Sequence, residues 1–312
     1  MAGLVLPFGL QRRVEAAARD YLSPAGAPPV DFTSPPGEAA LAGPDSVSWQ
    51  VFRNPVSLFV GGVAAVILEL AEPRVRSGVW NHSSFRTDPV ERLKRTGLAA
   101  MVTVYGARSE AERMIAGVRR AHVRIEGTTP AGALYRASDP ELLTWVQATA
   151  QFGFLQAYCA FVRPLPRSAR DLFYAEGRPA AELYGSVDAP ASEAELDACL
   201  AATAPRLEPS TVITEFLGIM RRAPLLPAPA RSVQHALVRA AVGLVPGWVR
   251  ERLELGREWD LRPLEGGLIR RAAVAADRLR LDSGPAAQAC VRLGLPPDYL
   301  HARRATLTAS TA

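Results

Sequence analysis

The sequence predicts an all-α protein that folds as a single domain. From Ser46 onward apolar residues recur at helical spacing, and the segments end at cap signals, whereas strands would show alternation. Of the 312 residues, 48% are apolar and 21% are charged, and no Ser/Gly linker or charge block divides the chain. We therefore predict one helical domain over residues 46–301, with a lead-in at 1–45 and a frayed tail at 302–312.

The lead-in is predicted to start with a helix, Gln11–Tyr21, and to continue as an irregular segment, Ala25–Asp45, that is rich in Pro and Gly. The domain then opens on the apolar run Val56–Ala71. Two glycines and Glu69 interrupt this run, which also falls short of the roughly 20 apolar residues of a membrane span. We therefore predict a buried helix there and expect no membrane-spanning segment.

Capping residues mark three further helix starts. Asp88 and Asp139 are each followed by proline, which suits the first helical position because it has no N–H to satisfy. Ser109 with Glu112 three residues later has the pattern of a capping box. A candidate β-hairpin follows at Val123–Tyr135, where two glycines and a proline surround short apolar pieces.

Proline-rich joints at 164–166 and 224–229 separate the helical stretches predicted beyond residue 160. These stretches include Glu193–Ala204, Ser210–Arg222 and Ala230–Leu244.

Charge, cysteine usage and the N-terminus narrow the functional classes. The net charge is +5, but Lys94 is the only lysine and the arginines are dispersed, so we expect no nucleic-acid partner. Cys159, Cys199 and Cys290 are odd in number and lack metal-ligand spacing, which predicts free, mostly packed thiols. The apolar run Leu4–Leu10 precedes the first arginines, the wrong order for a secretory signal, so a cytoplasmic location is expected.

Common nucleotide-binding, hydrolase and zinc-protease motifs are absent, which leaves the four histidines as candidates for chemistry. His122 follows Met114 and Val118 at steps of four, on an apolar stripe that is predicted to face the interior. One axial histidine can hold a haem iron, and an apolar stripe would keep water from a porphyrin. The same pattern also fits a hydrogen-bonded core histidine.

Arg92 and Thr96 lie four residues apart and therefore share one helix face. Their guanidinium and hydroxyl groups could bind one carboxylate, such as a haem propionate, although a solvated helix surface is the alternative. His82 precedes Asp88 in a predicted loop. There it could face a distal pocket, cap the neighbouring helix or bond a loop carbonyl.

Several segments, in order from about Gly43 to about Pro246, resemble the family of MpaB and latex-clearing proteins, which are haem-dependent oxygenases. No single piece is specific, but the ordered set is. The pieces are Gly61-Gly62, Glu72-Pro73 with Val75, His82-Ser83 with Phe85, Asp88-Pro89, Arg92-Leu93 with Thr96, Tyr105-Gly106, His122-Val123 with Gly127, Tyr135, and Asp139-Pro140 with Trp145-Val146.

The resemblance implies an all-α fold with a globin-like helical core and a non-covalent haem b. It makes His122 the axial iron ligand and places Arg92 and Thr96 beside the haem. His82 and Arg95 are then the candidate catalytic residues on the open side of the haem. Arg95 stands where latex-clearing proteins have a lysine and, because it stays protonated, is a poor iron ligand.

The implied activity is oxidation of a small hydrophobic substrate, olefinic or isoprenoid, with dioxygen. Two other hypotheses stay open from the sequence. One is a haem protein that binds or senses a diatomic gas without turnover, and the other is a helical scaffold that has lost its cofactor.

Overall fold

The computed structural model describes residue 4, residues 6–226 and residues 228–302. This part of the chain forms fourteen α-helices, three short 3₁₀ helices and one two-stranded antiparallel sheet. The predicted all-α fold is therefore confirmed. The helices are α1 (Phe8–Tyr21), α2 (Val47–Val51), α3 (Pro55–Ala71), α4 (Pro73–His82), α5 (Pro89–Tyr105), α6 (Arg108–His122), α7 (Pro140–Phe161), α8 (Arg167–Tyr184), α9 (Glu193–Thr203), α10 (Thr211–Arg222), α11 (Arg231–Leu244), α12 (Gly247–Arg252), α13 (Glu265–Arg278) and α14 (Pro285–Arg292).

Most of the predicted boundaries are confirmed. Asp88 accepts the Glu91 N–H at 3.3 Å and Asp139 accepts the Glu141 N–H at 3.0 Å, so both aspartates cap the helices that follow them. The predicted hairpin is present as β1 (Glu126–Thr128) paired with β2 (Leu134–Arg136). Residues 25–45 contain only turns, bends and unclassified backbone, as predicted. The predicted frayed tail lies, from residue 303 onward, outside the described residues.

The predicted capping box at Ser109 is wrong. Helix α6 begins at Arg108, so Ser109 lies inside the first turn, and Ala107 occupies the cap position without a side-chain hydrogen bond. The carboxylate of Glu38 caps this end instead, because it accepts the Ser109 N–H at 2.6 Å and the Ser109 hydroxyl at 3.0 Å. The acceptor for the free N–H at the start of α6 therefore comes from the distant lead-in, whereas the capping-box pattern had placed it within the helix itself.

Helices α3 and α7 form the centre of the core and cross at backbone contact. A Cβ atom on Gly61 would lie 2.6 Å from the Gly153 carbonyl oxygen, and one on Gly153 would lie 2.2 Å from the Gly61 oxygen. Both distances are shorter than van der Waals contact, so the crossing has room for glycine alone. The core around this crossing includes three completely buried side chains, those of Ile67, Leu68 and Leu155.

The predicted buried helix at 56–71 is confirmed as α3, and α4 follows it after a sharp bend. No single helix among the described residues is long and apolar enough to span a membrane. Helices α3 and α4 would meet the length and hydropathy of a span only together, and they are bent by 112°. The bend begins at Glu72, whose side chain accepts the N–H groups of Arg74 and Val75 and so caps α4.

The lead-in packs against the end of the described chain and forms a second, smaller core. Arg292 on α14 donates to the carbonyl oxygens of Glu38 and Phe32, both at 2.8 Å. Trp49 and Tyr105 meet edge to face in this core, with ring centroids 5.1 Å apart. The three cysteines are free, with Cys290 buried here, as the sequence predicted.

We predict that Gly153→Ala destabilises the protein by at least about 2 kcal/mol, because the added methyl group would overlap the α3 backbone. Gly243→Ala is the matched control, since this helical glycine has no atom within 4 Å of its would-be Cβ. It should be neutral or stabilising by up to about 1 kcal/mol through helix propensity. Urea unfolding of the two variants measures both effects, and equal stabilities would refute the close crossing.

Candidate functional site

Helices α3 and α7 each keep one face only half-buried, although both lie in the middle of the core. Central helices normally bury their apolar faces completely, so accessible rows of such side chains indicate a cleft. The Phe154 Cε1 atom lies 3.8 Å from the position of a Cβ on Gly62, so these two residues are neighbours across the two helices. The rows consist of Gly62 and Val66, followed by the polar Glu69, on α3 and of Val146, Ala150 and Phe154 on α7.

Arg92 on α5 and His122 on α6 are the charged or titratable side chains nearest this region, hereafter the central cleft. None of residues 89–100 at the start of α5 is fully buried, and close packing of that helix begins only at Met101. The charge of Arg92 on α5 acts on Glu69 of α3 and also on His122 of α6. Because one charge shifts the pKa of another group only at short range, Arg92 lies near both Glu69 and His122.

His122 is the last residue of α6 and is half-buried at the cleft. Burial lowers the pKa of its imidazole, and the positive charge of Arg92 lowers it further, so the ring is neutral at physiological pH. Its Nδ1 atom is buried and has no hydrogen-bond partner among the described residues. The predicted stripe of Met114, Val118 and His122 is half-buried, whereas the fully buried residues of α6 are Ala111 and Ile115.

Glu69 is the residue of the cleft that sequence reasoning missed. In the sequence, Glu69 only interrupts the apolar run Val56–Ala71. Burial raises the pKa of its carboxyl group to about 7, and the nearby Arg92 offsets only part of that rise. The side chain is nevertheless partly accessible, which is the behaviour of a carboxyl group that lines a cleft inside the protein. A carboxyl group that titrates near neutral pH is a candidate proton donor and acceptor.

The start of α5 carries Arg92, Arg95 and Thr96, which differ in the hydrogen-bond donors that they leave free. Arg92 places its Cζ atom 5.9 Å from the ring centroid of Phe85, and its buried Nε has no partner among the described residues. Burial lowers the pKa of Arg92, although an arginine so shifted keeps its charge. Thr96 is exposed and donates its hydroxyl hydrogen to the Arg92 carbonyl oxygen at 2.9 Å. Of the two, Arg92 alone retains free donors.

Arg95 is exposed and forms a hydrogen bond to the segment that connects α4 to α5. Its Nη2 donates to the Ser84 hydroxyl oxygen at 3.1 Å, and its Nε donates to the Glu91 carbonyl oxygen at 3.3 Å. The joint formed by residues 83–87 carries Phe85 on its buried side. Arg95 therefore contacts the wall of the cleft through this joint.

His82 lies in a helix and not in the predicted loop, because α4 continues to this residue. The ring is exposed, and its Nε2 atom pairs with the Tyr135 hydroxyl oxygen at 3.1 Å. Tyr135 is buried on β2, directly opposite Gly127 on β1. The observed partner is thus a side chain of the hairpin, which follows His122 in the chain.

Among the described residues, no group of three or more His, Cys, Asp or Glu side chains could hold a metal ion. A metal in this cleft would need a cofactor that brings most of its own ligands. One neutral imidazole is then sufficient from the protein. His122 meets that requirement, because it is neutral and has an unpartnered ring nitrogen.

The fold and the cleft define an all-α protein with a small polar cluster in an otherwise apolar cleft, which suits a large and mostly apolar ligand. Residues 49–278 match the family model described as ER-bound oxygenase mpaB/B'/Rubber oxygenase, catalytic domain. The chain belongs to this family and is therefore an oxygenase, an enzyme of the oxidoreductase class. No significant match was found among curated proteins or among solved structures.

We predict that the protein loses stability as the pH rises from 4.5 to 7, because folded Glu69 binds a proton over this range that the unfolded chain has released. Glu69→Gln should remove this loss and stabilise the protein by up to about 3 kcal/mol above neutral pH. Glu251→Gln, at an exposed position, is the control and should leave the pH profile unchanged. Unfolding in urea across this pH range measures the profile, and identical curves for parent and Glu69→Gln would contradict the assignment.

Proposed function

We propose that this oxygenase carries haem b and uses it with dioxygen to oxidise a small hydrophobic substrate, with His122 as the axial iron ligand. The observation that carries the proposal is the buried and unpartnered Nδ1 atom of that ring. A buried nitrogen without a partner costs free energy unless a bound group satisfies it. The lowered pKa of His122 also keeps the imidazole in the neutral form that binds iron.

Arg92 supplies the second point of fit. Its buried Nε atom also lacks a partner, and a guanidinium can donate two parallel hydrogen bonds to a carboxylate such as a haem propionate. Thr96 adds no donor in this arrangement, since its hydroxyl hydrogen is already bonded to the backbone. We therefore assign the propionate contact to Arg92 and give Thr96 the lesser role of shaping the helix face beside it.

When bound, haem b would supply the iron that activates dioxygen and carries the electronic step. The chain's own part begins with Glu69, which can hold or release a proton at its carboxyl group near neutral pH. The half-buried apolar residues Val66, Val146 and Phe154 offer a surface to an apolar molecule, which would displace water from them on binding. These walls favour an olefinic or isoprenoid substrate over a polar one.

His82 and Arg95 act in this proposal as positioning residues. His82 holds the hairpin through the Tyr135 hydroxyl, and the hairpin begins directly after the proposed iron ligand. Arg95 holds the 83–87 joint through Ser84 and thereby keeps Phe85 under the Arg92 guanidinium. Each residue fixes a wall of the cleft without contacting the reacting atoms.

We predict that His122→Ala abolishes haem retention, because it removes the only axial ligand proposed. The absorption spectrum of protein produced with ample haem should show a Soret band that the variant lacks. His235→Ala is the matched control, since this half-buried histidine bonds the Arg221 carbonyl oxygen on α10 and lies outside the cleft. A Soret band of full intensity in His122→Ala would overturn the ligand assignment.

Haem-loaded protein then allows the activity to be tested directly. Oxygen consumption that depends on an added alkene or isoprenoid, and not on its saturated analogue, is the expected result. Reversible oxygen binding without consumption across such a panel would instead support a gas-binding protein.

We predict that His82→Ala and Tyr135→Phe have the same effect, because each removes one partner of a single hydrogen bond. Amide hydrogen exchange in β1 and β2 should quicken about fivefold in both, and the double variant should add little. The haem spectrum should stay unchanged in all three. A spectrum altered by His82→Ala but not by Tyr135→Phe would show that His82 acts directly on the cofactor.

A further inference from the structure

A second cavity, of about 560 Å³, opens between α4, the 83–87 joint and α10. Hereafter it is the α4–α10 cavity. None of its lining residues belongs to the central cleft. The half-buried side chains of Trp80 and Ile219 give it apolar walls. Its volume lies in the range of sites that hold small organic molecules.

The charges that line the α4–α10 cavity are unbalanced. Arg86 and Arg222 contribute two guanidinium groups, and Glu215 contributes the one carboxylate. Arg86 pairs with Glu215 at 3.2 Å, and both side chains are largely exposed, so the pair is weak and easily exchanged. Arg222 has no acidic partner among the described residues. One guanidinium is therefore available to an anion without any rearrangement.

Two hydroxyl groups, those of Ser83 and Thr87, complete the lining on the side of the joint. The Thr87 hydroxyl hydrogen is bonded to the Ser84 carbonyl oxygen at 3.5 Å, whereas the Ser83 oxygen accepts a backbone N–H and keeps its hydrogen. A guanidinium and the Ser83 hydroxyl can together satisfy both oxygens of a carboxylate. The net charge of the lining is +1, which matches a carboxylate better than a doubly charged phosphate. The half-buried side chains of Trp80 and Ile219 offer an attached apolar chain a surface to pack on.

We propose that the α4–α10 cavity binds an organic carboxylate that carries an apolar chain, with Arg222 as the anchor of the carboxylate. The site stands independently of the haem proposal, because no group of the central cleft takes part. The two sites nevertheless share a wall at Phe85. The ring of Phe85 packs on Phe216 of α10 with centroids 5.3 Å apart, and the Arg92 guanidinium covers it from the cleft. A ligand in the cavity thus lies one side chain away from the central cleft.

Titration calorimetry of the full-length protein with decanoate tests this assignment. Decanoate should bind, decanol should bind at least about tenfold more weakly for want of a charge, and acetate should show no binding. Arg222→Gln should weaken decanoate binding about tenfold without affecting decanol. Glu215→Gln should strengthen it about threefold, because it removes a competing carboxylate and frees Arg86.

Arg178→Gln is the matched control, since this exposed arginine on α8 does not line the cavity. It should leave decanoate binding unchanged. The two test positions are exposed, so these substitutions leave the core intact. Equal affinities for decanoate and decanol, or equal losses in Arg222→Gln and Arg178→Gln, would overturn the proposal. Absence of decanoate binding to the parent protein would do the same.

Discussion

The backbone contact between Gly61 and Gly153 is the constraint on which the remainder of the structure depends. It brings the axes of α3 and α7 closer than any side chain at those positions would allow. The same two helices carry the apolar rows of the central cleft, and Glu69 lies about two turns beyond Gly61. The separation of these rows therefore follows from the crossing. A wider crossing would move Glu69 relative to Arg92, which is fixed on a different helix.

The central cleft combines groups that a folding core would ordinarily avoid. Glu69, Arg92 and His122 each lose hydration there, and the pKa of each is displaced toward its neutral form. Such a cluster reduces the stability of the folded state unless something binds it. Its persistence among apolar rows is thus understandable for an oxygenase, in which a bound group would satisfy the unpartnered nitrogens. Under the proposed function, the same three groups would bind a ligand and would lower the stability of the folded protein in its absence.

The sequence sufficed for features that depend on neighbouring residues. Asp88 and Asp139 could be recognised as caps because the groups they satisfy lie two or three positions away. The cap of α6 could not be recognised, because it is supplied by Glu38, which is 71 positions away from Ser109. Glu69 was missed for a similar reason. Its pKa depends on burial in the folded protein and on Arg92, which lies on another helix, and neither can be read from the apolar run around it. The side chains of α3 and α7 that stay half-buried are set by packing, which one sequence does not display.

The 83–87 joint shows how one short segment can serve two sites. Ser84 is held by Arg95, Phe85 points inward beneath Arg92, and Arg86 points to Glu215 across the α4–α10 cavity. Successive side chains of this segment therefore reach α5, the core and α10. Phe85 is held by its aromatic contact with Phe216 and lies beneath Arg92, and Arg86 follows it directly in the chain. The joint therefore contributes Phe85 to the core beneath Arg92, and it contributes Ser83, Arg86 and Thr87 to the lining of the α4–α10 cavity.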